Sequence, residues 1–196
     1  VDWEEESYFY NIKEVSDGYI VIGSTYKDFS ITDFRGKTTN IPAGSSFILK
    51  YNKSFENIMW VNNVETYASN IYIGKNNEYI IKANEYISKY SKDGKLIKLI
   101  DLIDLMKKLN FRSMRIQKDM VQDDLRYMIF GKLEEGESAN ISTENGDRIV
   151  TKGEFILELN DDLEIYDYTN INSSEYANKL KKYKKGKIKN KNYSDV

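Results

Sequence analysis

Apolar and polar residues alternate with a period of two along most of this chain, which is the pattern of β-strands with one buried face. One alternating stretch occurs three times and each time ends in Asn or Ser, at residues 47–52, 86–91 and 155–160. Each copy continues through a short polar turn into a second apolar stretch, which ends at Trp60, Leu99 or Tyr168. The repetition predicts that one all-β unit is built three times.

Each unit is predicted to contain four antiparallel strands, called a to d in chain order. The units cover residues 8–60, 67–99 and 112–168, with strand a near 8–15, 70–74 and 112–118. Strand b carries a Tyr-Ile or Tyr-Met pattern, strand c is the repeated stretch, and strand d follows the polar turn. Asp93-Gly94 is a favourable hairpin turn between strands c and d of the middle unit.

The distance between strands b and c varies among the units in a regular way. Tyr19 and Phe47 are separated by as many residues as Tyr127 and Phe155, whereas a tight turn alone separates Tyr79 from Tyr86. Units one and three therefore carry insertions of equal length at the same place, 24–46 and 132–154. Two short alternating stretches flank Arg35-Gly36 in one insertion and Asn145-Gly146 in the other, so each is predicted to form a hairpin.

The positions of the insertions suggest which surface is available for binding. In an antiparallel unit the b–c and d–a connections leave at one end, and the a–b and c–d connections leave at the other. Both insertions and the long d–a segments 61–69 and 100–111 would then lie on one elaborated face. Loops on a rigid repeat scaffold are common recognition sites, although structural decoration is the alternative.

The segment DGYIVIGST…FILKYNKSFENIMW resembles the repeats of secreted, clostridial-type bacterial β-propellers. The resemblance covers about residues 8–168 and implies an all-β, propeller-like array of three four-stranded blades with extended b–c hairpins. Closed propellers usually have four to eight blades, so three blades imply part of a larger ring, half of a six-bladed dimer, or an open array. A β-sandwich is the alternative fold. The expected domain spans residues 1–172.

Two departures from the strand pattern predict helices. Residues 101–110 have apolar residues at helical spacing, which predicts a short helix. A final helix is expected over 175–184, with Ser173 or Ser174 as its cap, followed by a lysine-rich tail within 173–196. Trp3 resembles the end of a further strand d, so the chain is interpreted as a processed or excerpted piece of a longer protein.

Composition excludes several kinds of chemistry. The chain has no cysteine and no histidine, which excludes disulfides, thiolate metal sites and imidazole general bases. Carboxylate pairs occur at Asp123-Asp124 and Asp161-Asp162, but neighbouring residues in a turn point apart. Asp119 could join the first pair as a calcium ligand, but the spacing is not that of an EF-hand. We therefore expect no enzyme activity, no metal and no cofactor, with a carboxylate-based glycoside hydrolase as a remote alternative.

Charge is unevenly distributed along the chain. Eight lysines lie within 179–191, so the rest of the chain is acidic and would repel nucleic acid. The frequent Lys, Asn, Ile and Tyr suggest a Gram-positive bacterium with an AT-rich genome, and an extracellular or cell-surface location is preferred to a cytoplasmic one. No apolar run is long enough to span a bilayer.

The expected function is a non-enzymatic binding or assembly module whose partner is another protein or a cell-surface glycan. Self-association that completes a propeller as a homodimer is the alternative. Aromatic and guanidinium groups anchor interfaces, and amides suit polar partners. The candidate contact residues are Tyr26, Phe34, Arg35, Asn40, Asn140 and Arg148. Trp60 is interpreted as core, and Phe29 as a residue that packs its hairpin onto the sheet.

Overall fold

The computed structural model describes residues 7–64, 67–108, 111–123, 126–136, 138–172, 174–175, 177–179 and 181. The strands are β1 (Ser7–Val15), β2 (Gly18–Thr25), β3 (Phe29–Thr32), β4 (Thr38–Ile41), β5 (Ser46–Tyr51), β6 (Ile58–Val64), β7 (Ala68–Ile73), β8 (Tyr79–Ala83), β9 (Tyr86–Tyr90), β10 (Leu96–Asp101), β11 (Phe111–Asp123), β12 (Arg126–Gly136), β13 (Ala139–Thr143), β14 (Gly146–Val150), β15 (Gly153–Leu159) and β16 (Ile165–Ile171). The helix α1 spans Leu102–Lys108.

The strands form three four-stranded antiparallel sheets and two separate hairpins. The first sheet has the order β1-β2-β5-β6, the middle sheet β7-β8-β9-β10, and the third sheet β11-β12-β15-β16. The first hairpin (β3–β4) and the second hairpin (β13–β14) are inserted between the second and third strands of their sheets. The all-β prediction and the two hairpin insertions are confirmed, whereas the arrangement of the sheets as a propeller stays a prediction.

The chain divides into two compact units, residues 1–102 and 103–196. In the first unit, one face of the first sheet packs against the middle sheet through Ile20, Ile48 and Trp60 on one side and Tyr79, Ile81 and Tyr90 on the other. The opposite face of the first sheet is buried against the first hairpin. The first sheet therefore has both faces covered by its own chain.

The three turns between the last two strands of each sheet share two features, which explain the repeated Asn or Ser. The side-chain oxygens of Asn52, Ser91 and Asn160 accept hydrogen bonds from the backbone N–H of Glu56, Lys95 and Glu164, respectively, at 2.9–3.1 Å. The fourth turn residue has a left-handed backbone each time, at Phe55, Gly94 and Leu163. This side-chain acceptor and the left-handed residue are typical of tight turns.

An ion pair recurs at one position of each sheet. Its members are Asp17 with Lys50 (2.7 Å), Glu78 with Lys89 (2.8 Å), and Arg126 with Glu158 (3.6 Å). Each joins the third strand of a sheet to the start of its second strand or to the turn before it. In the third sheet the cation and the carboxylate have exchanged places. Lys50 and Lys89 are almost fully buried, so their partners compensate charges that burial would otherwise disfavour.

The predicted equivalence of Trp60 with Leu99 and Tyr168 is wrong by one residue. Trp60 pairs with Lys50, whereas Leu99 and Tyr168 pair with Ser88 and Leu157, the equivalents of Leu49. The turn 52–57 is one residue longer than the turns 91–95 and 160–164. A one-residue shift moves a side chain to the other face of a sheet, so Trp60 faces the middle sheet while Tyr168 stacks on Phe155.

The predicted short helix is confirmed as α1. Residues 174–175, 177–179 and 181 are helical, in agreement with the expected final helix. Ser174 is not the cap, because Asn172 Oδ1 accepts the backbone N–H of Glu175 at 2.8 Å and Ser174 donates its hydroxyl to the same oxygen. Ser173, Trp3 and most of the lysine-rich tail lie outside the described residues.

Within the residues described, no helix is both long and apolar enough to cross a lipid bilayer.

Candidate functional site

The first hairpin has an apolar inner face and a polar outer face. Ile31 and Ile41 point inward and are fully buried against the first sheet. Four exposed polar side chains point outward and form two cross-strand hydrogen bonds, Ser30 with Asn40 at 2.7 Å and Thr32 with Thr38 at 3.0 Å. Burial of the inner face fixes the hairpin, so the outer hydroxyl and amide groups are held in a defined row.

The tip of the first hairpin lies at the opposite end of the sheet from its base. The backbone N–H of Phe34 donates to the carbonyl of Ile58 at 2.9 Å, and Arg35 Nη2 reaches the carbonyl of Met59 at 3.5 Å. Ile58 begins β6, next to the turn 52–57. The prediction that the insertion projects from the b–c end is therefore wrong, because Ile31 and Ile41 gain more free energy by packing against the sheet than by facing water.

Asp33 organises the tip of this hairpin. Its Oδ1 accepts backbone N–H groups from Arg35 at 2.9 Å and Lys37 at 3.0 Å, and its side chain is 3% exposed. Burial acts to raise the pKa of Asp33, but the backbone N–H groups of Lys37 and Arg35, together with the Arg35 guanidinium, outweigh it. The pKa therefore lies below its ordinary value, and the carboxylate stays ionised.

We expect Asp33→Asn to make the free energy of unfolding depend less on pH in the acidic range. Because the folded-state pKa is below the unfolded one, the ionised carboxylate contributes fully above the unfolded value and loses its contribution as pH falls through the folded value. Urea unfolding at a series of pH values from neutral to about pH 2 would measure this. An unchanged acid dependence in the variant would contradict the assigned role of Asp33.

The second hairpin repeats the design of the first. Ile141 and Val150 are buried, while Ser142 and Asp147 are exposed and joined by a 2.9 Å hydrogen bond. Its turn also reaches the start of the outer strand, since the N–H of Glu144 donates to the carbonyl of Ile165 at 3.4 Å. Both insertions thus fold back along the last strand of their sheet, and neither projects as a loop.

Arg148 has a structural role in the second hairpin. Its Nε and Nη2 donate to the two carboxylate oxygens of Asp167 at 2.7 and 3.2 Å. Burial acts to raise the pKa of Asp167, but Arg148 and the backbone N–H of Tyr168 outweigh it and lower that pKa. A bidentate pair of this kind is a strong contact. The prediction of Arg148 as a partner-contacting residue is therefore not supported by its geometry.

The other candidate contact residues are exposed, but those of the first compact unit do not form one cluster. Tyr26 is 71% exposed at the base of the first hairpin, with its ring edge-to-face on Tyr8 at 5.7 Å. Phe34 and Arg35 lie at the opposite tip, where the guanidinium carbon is 5.5 Å from the Phe34 ring centroid. Asn40 lies in the outer row between them, and Asn140 is exposed on the second hairpin. Sequence reasoning missed Tyr8, whose position opposite Ser24 depends on strand register.

Trp60 lies in the core, and Phe29 packs its hairpin onto the sheet, as the sequence predicts. Trp60 is 6% exposed and donates its indole N–H to the carbonyl of Lys92 at 3.1 Å. Phe29 packs edge-to-face on Phe47 at 5.5 Å and so fixes the hairpin to the sheet.

Two of the carboxylates considered for catalysis, Asp161 and Asp162, lie in the turn between β15 and β16. Asp161 accepts a hydrogen bond from the Tyr127 hydroxyl at 3.0 Å, and Asp162 is exposed in the adjoining turn. Asp124 and the side chains of Asp119 and Asp123 lie outside the described residues. Burial lowers the pKa of Lys82 to about 8, and only 1% of this residue is accessible to solvent. Among the described residues, no three His, Cys, Asp or Glu side chains are grouped to hold a metal ion.

No protein family model matches the chain, and no curated protein or solved structure is significantly similar to it.

Proposed function

We propose that this protein is a non-enzymatic binding module that contacts a protein or a cell-surface glycan through the outer faces of its two hairpins. The observation that carries the proposal is the repeated hairpin. In both copies the inner face is buried, and the outer face presents hydroxyl, amide or carboxylate groups to solvent. An outer face with exposed polar groups, built twice by equal insertions, is consistent with recognition, because repeat scaffolds present binding groups in this way.

The outer rows suit a polar partner. The backbone and the inner residues already hold each hairpin in place, so binding would order few additional groups and lose little conformational entropy. Asn40 and Asn140 offer both donors and acceptors, and the hydroxyl groups of Thr32 and Thr38 can rotate to either role. Phe34, at the tip, adds an apolar contact of the kind on which a sugar ring or an aliphatic side chain can pack.

We further propose that the three sheets stack as blades of an open, propeller-like array at the cell surface or outside the cell. Completion of a ring by a homodimer is less well supported. A further sheet would need an open face on the first sheet, and Ile31 and Ile41 of the first hairpin already bury that face. The hydrolase alternative gains no support from Asp161, whose carboxylate is engaged by Tyr127.

The outer row of the first hairpin provides the test. The double variant Thr32→Lys, Thr38→Lys places two long cations on the exposed row without touching the buried face. We expect at least a tenfold loss of binding to the glycans that the unmodified chain selects on an array of bacterial cell-wall and host oligosaccharides. Glu14→Lys, at an exposed site on β1, is the control and should bind normally. Absence of binding by the unmodified chain would leave a protein partner, and unchanged binding by the double variant would contradict the role of the hairpin.

A further inference from the structure

Asn145 belongs to the tip that attaches the second hairpin to the outer strand of its sheet. The backbone N–H of Asn145 donates to the carbonyl of Tyr166 at 3.3 Å, and its Nδ2 donates to Asp167 Oδ2 at 3.4 Å. The Asp167 carboxylate also accepts both hydrogen bonds from Arg148. One carboxylate on β16 therefore holds two side chains of the second hairpin.

The residue that follows Asn145 is a glycine, and both residues are exposed. Asn145-Gly146 is the single Asn-Gly pair in the sequence. Gly146 has no side chain to shield its backbone nitrogen, and an added Cβ would meet only Arg148 Nη1, at 3.9 Å, apart from its chain neighbours. The exposed Asn140 of the same hairpin is followed by Ile141, whose branched side chain crowds the corresponding nitrogen. Of these two asparagines, only Asn145 has an unhindered backbone nitrogen next to its side-chain amide.

We propose that Asn145 is a site of spontaneous deamidation, in which the side-chain amide is hydrolysed to a carboxylate without an enzyme. The backbone nitrogen of Gly146 attacks Cγ of Asn145, the Cγ–Nδ2 bond breaks, and ammonia leaves with the proton of the Gly146 N–H. Water then opens the resulting imide ring. Cleavage of the bond from the ring nitrogen to Cγ gives aspartate, and cleavage of its bond to the main-chain carbonyl carbon gives isoaspartate. The net reaction consumes water, releases ammonia and involves no oxidation or reduction.

The contacts of the tip link this reaction to the attachment of the hairpin. The hydrogen bond to Asp167 restrains the side-chain amide of Asn145, and pairing with Thr143 restrains the backbone of Gly146. Both restraints must relax before the nitrogen reaches Cγ. Local opening of this kind has its own free energy in a folded protein, so the rate of deamidation depends on how often the tip separates from β16.

The product weakens the same attachment. In aspartate, a carboxylate replaces the Nδ2 donor and lies beside the Asp167 carboxylate, so repulsion between like charges replaces a hydrogen bond. In isoaspartate, the main chain of the turn is one atom longer, which disturbs the pairing of Thr143 with Gly146. Each product therefore favours separation of the second hairpin from β16.

Peptide mapping by mass spectrometry tests the site. After incubation of the unmodified chain at mildly alkaline pH, we expect deamidation at Asn145 to be at least tenfold faster than at Asn140, with aspartate and isoaspartate as separate products. Asp167→Ala releases the side-chain amide and should accelerate deamidation of Asn145 at least threefold. Glu14→Ala, at an exposed site of the first sheet, is the control and should leave the rate unchanged. Circular dichroism spectra must confirm that both variants are folded.

Hydrogen exchange tests the effect of the product. Asn145→Asp imitates the aspartate product and should increase amide exchange in β13 and β14 at least threefold. Asn140→Asp adds the same charge at an exposed site of the same hairpin and should leave this exchange unchanged. Neither experiment uses a ligand, so the results do not depend on the proposed function. Equal deamidation rates at Asn145 and Asn140, an unchanged rate in folded Asp167→Ala, or unchanged exchange in Asn145→Asp would each overturn the proposal.

Discussion

Replacement of Gly94 by alanine is expected to destabilise the first compact unit by about 2–5 kcal/mol. Gly94 has φ +81°, where a side chain costs about 1–2 kcal/mol. A Cβ atom there would lie 2.5 Å from Cδ2 of Trp60, inside the packing between the first and middle sheets. Overpacking of this kind costs about 1–3 kcal/mol more, and it would also disturb the 2.7 Å hydrogen bond from Asn62 to the Gly94 carbonyl.

Gly36→Ala is the matched control for this experiment. Gly36 has nearly the same backbone, with φ +82°, but no atom lies within 4 Å of the added Cβ. Gly36→Ala should therefore lower the free energy of unfolding only by the cost of a side chain on a left-handed backbone, about 1–2 kcal/mol. Urea unfolding followed by tryptophan fluorescence reports on the correct unit, because both tryptophans belong to residues 1–102. Equal losses in the two variants would show that the Trp60 contact does not determine the effect.

Glu78→Gln is expected to cost about 2–4 kcal/mol, because it removes the carboxylate 2.8 Å from a buried ammonium group. The Lys89 side chain is only 4% exposed, so water cannot replace the lost partner. Urea unfolding at neutral pH would measure the loss. The double variant Glu78→Gln, Lys89→Met should recover part of the stability, because it also removes the buried ammonium group.

Arg126→Gln, at the equivalent position of the third sheet, is the comparison for Glu78→Gln. Its side chain is 46% exposed, and its nitrogen lies 3.6 Å from Glu158. Exposed pairs contribute about 0–1 kcal/mol, so the change should be small. A loss of stability in Arg126→Gln as large as that in Glu78→Gln would contradict the argument that burial of the ion pair determines the size of the loss.

The strands and the insertions could be predicted because their signals are local. Alternation placed β8 and β9, and the unequal spacing of Tyr19–Phe47 and Tyr79–Tyr86 located the two hairpins within their sheets. The shape of each insertion followed from its turn residues, since Asn145-Gly146 and Arg35-Gly36 suit tight turns. The outward candidates Asn40 and Asn140 followed from the same alternation.

The remaining features depend on contacts between residues distant in sequence. Alternation shows that Ile31 and Ile41 share a face, but not that this face folds back onto the first sheet, so the position of Phe34 was mispredicted. The extra residue in turn 52–57 moved Trp60 to the opposite face, although its sequence spacing matched those of Leu99 and Tyr168. Buried lysines such as Lys89 look like surface residues until their partners are known.

The exchanged ion pair of the third sheet affects which strands of the chain pair with one another during folding. If β15 were to enter the first sheet in place of β5, Glu158 would meet Asp17. The reverse exchange would bring Lys50 beside Arg126. Both errors place like charges together in a partly buried site, so incorrect assembly of these similar segments is penalised while the native assembly is favoured. In a chain that contains several similar sheets, the inversion of one ion pair therefore protects against misfolding.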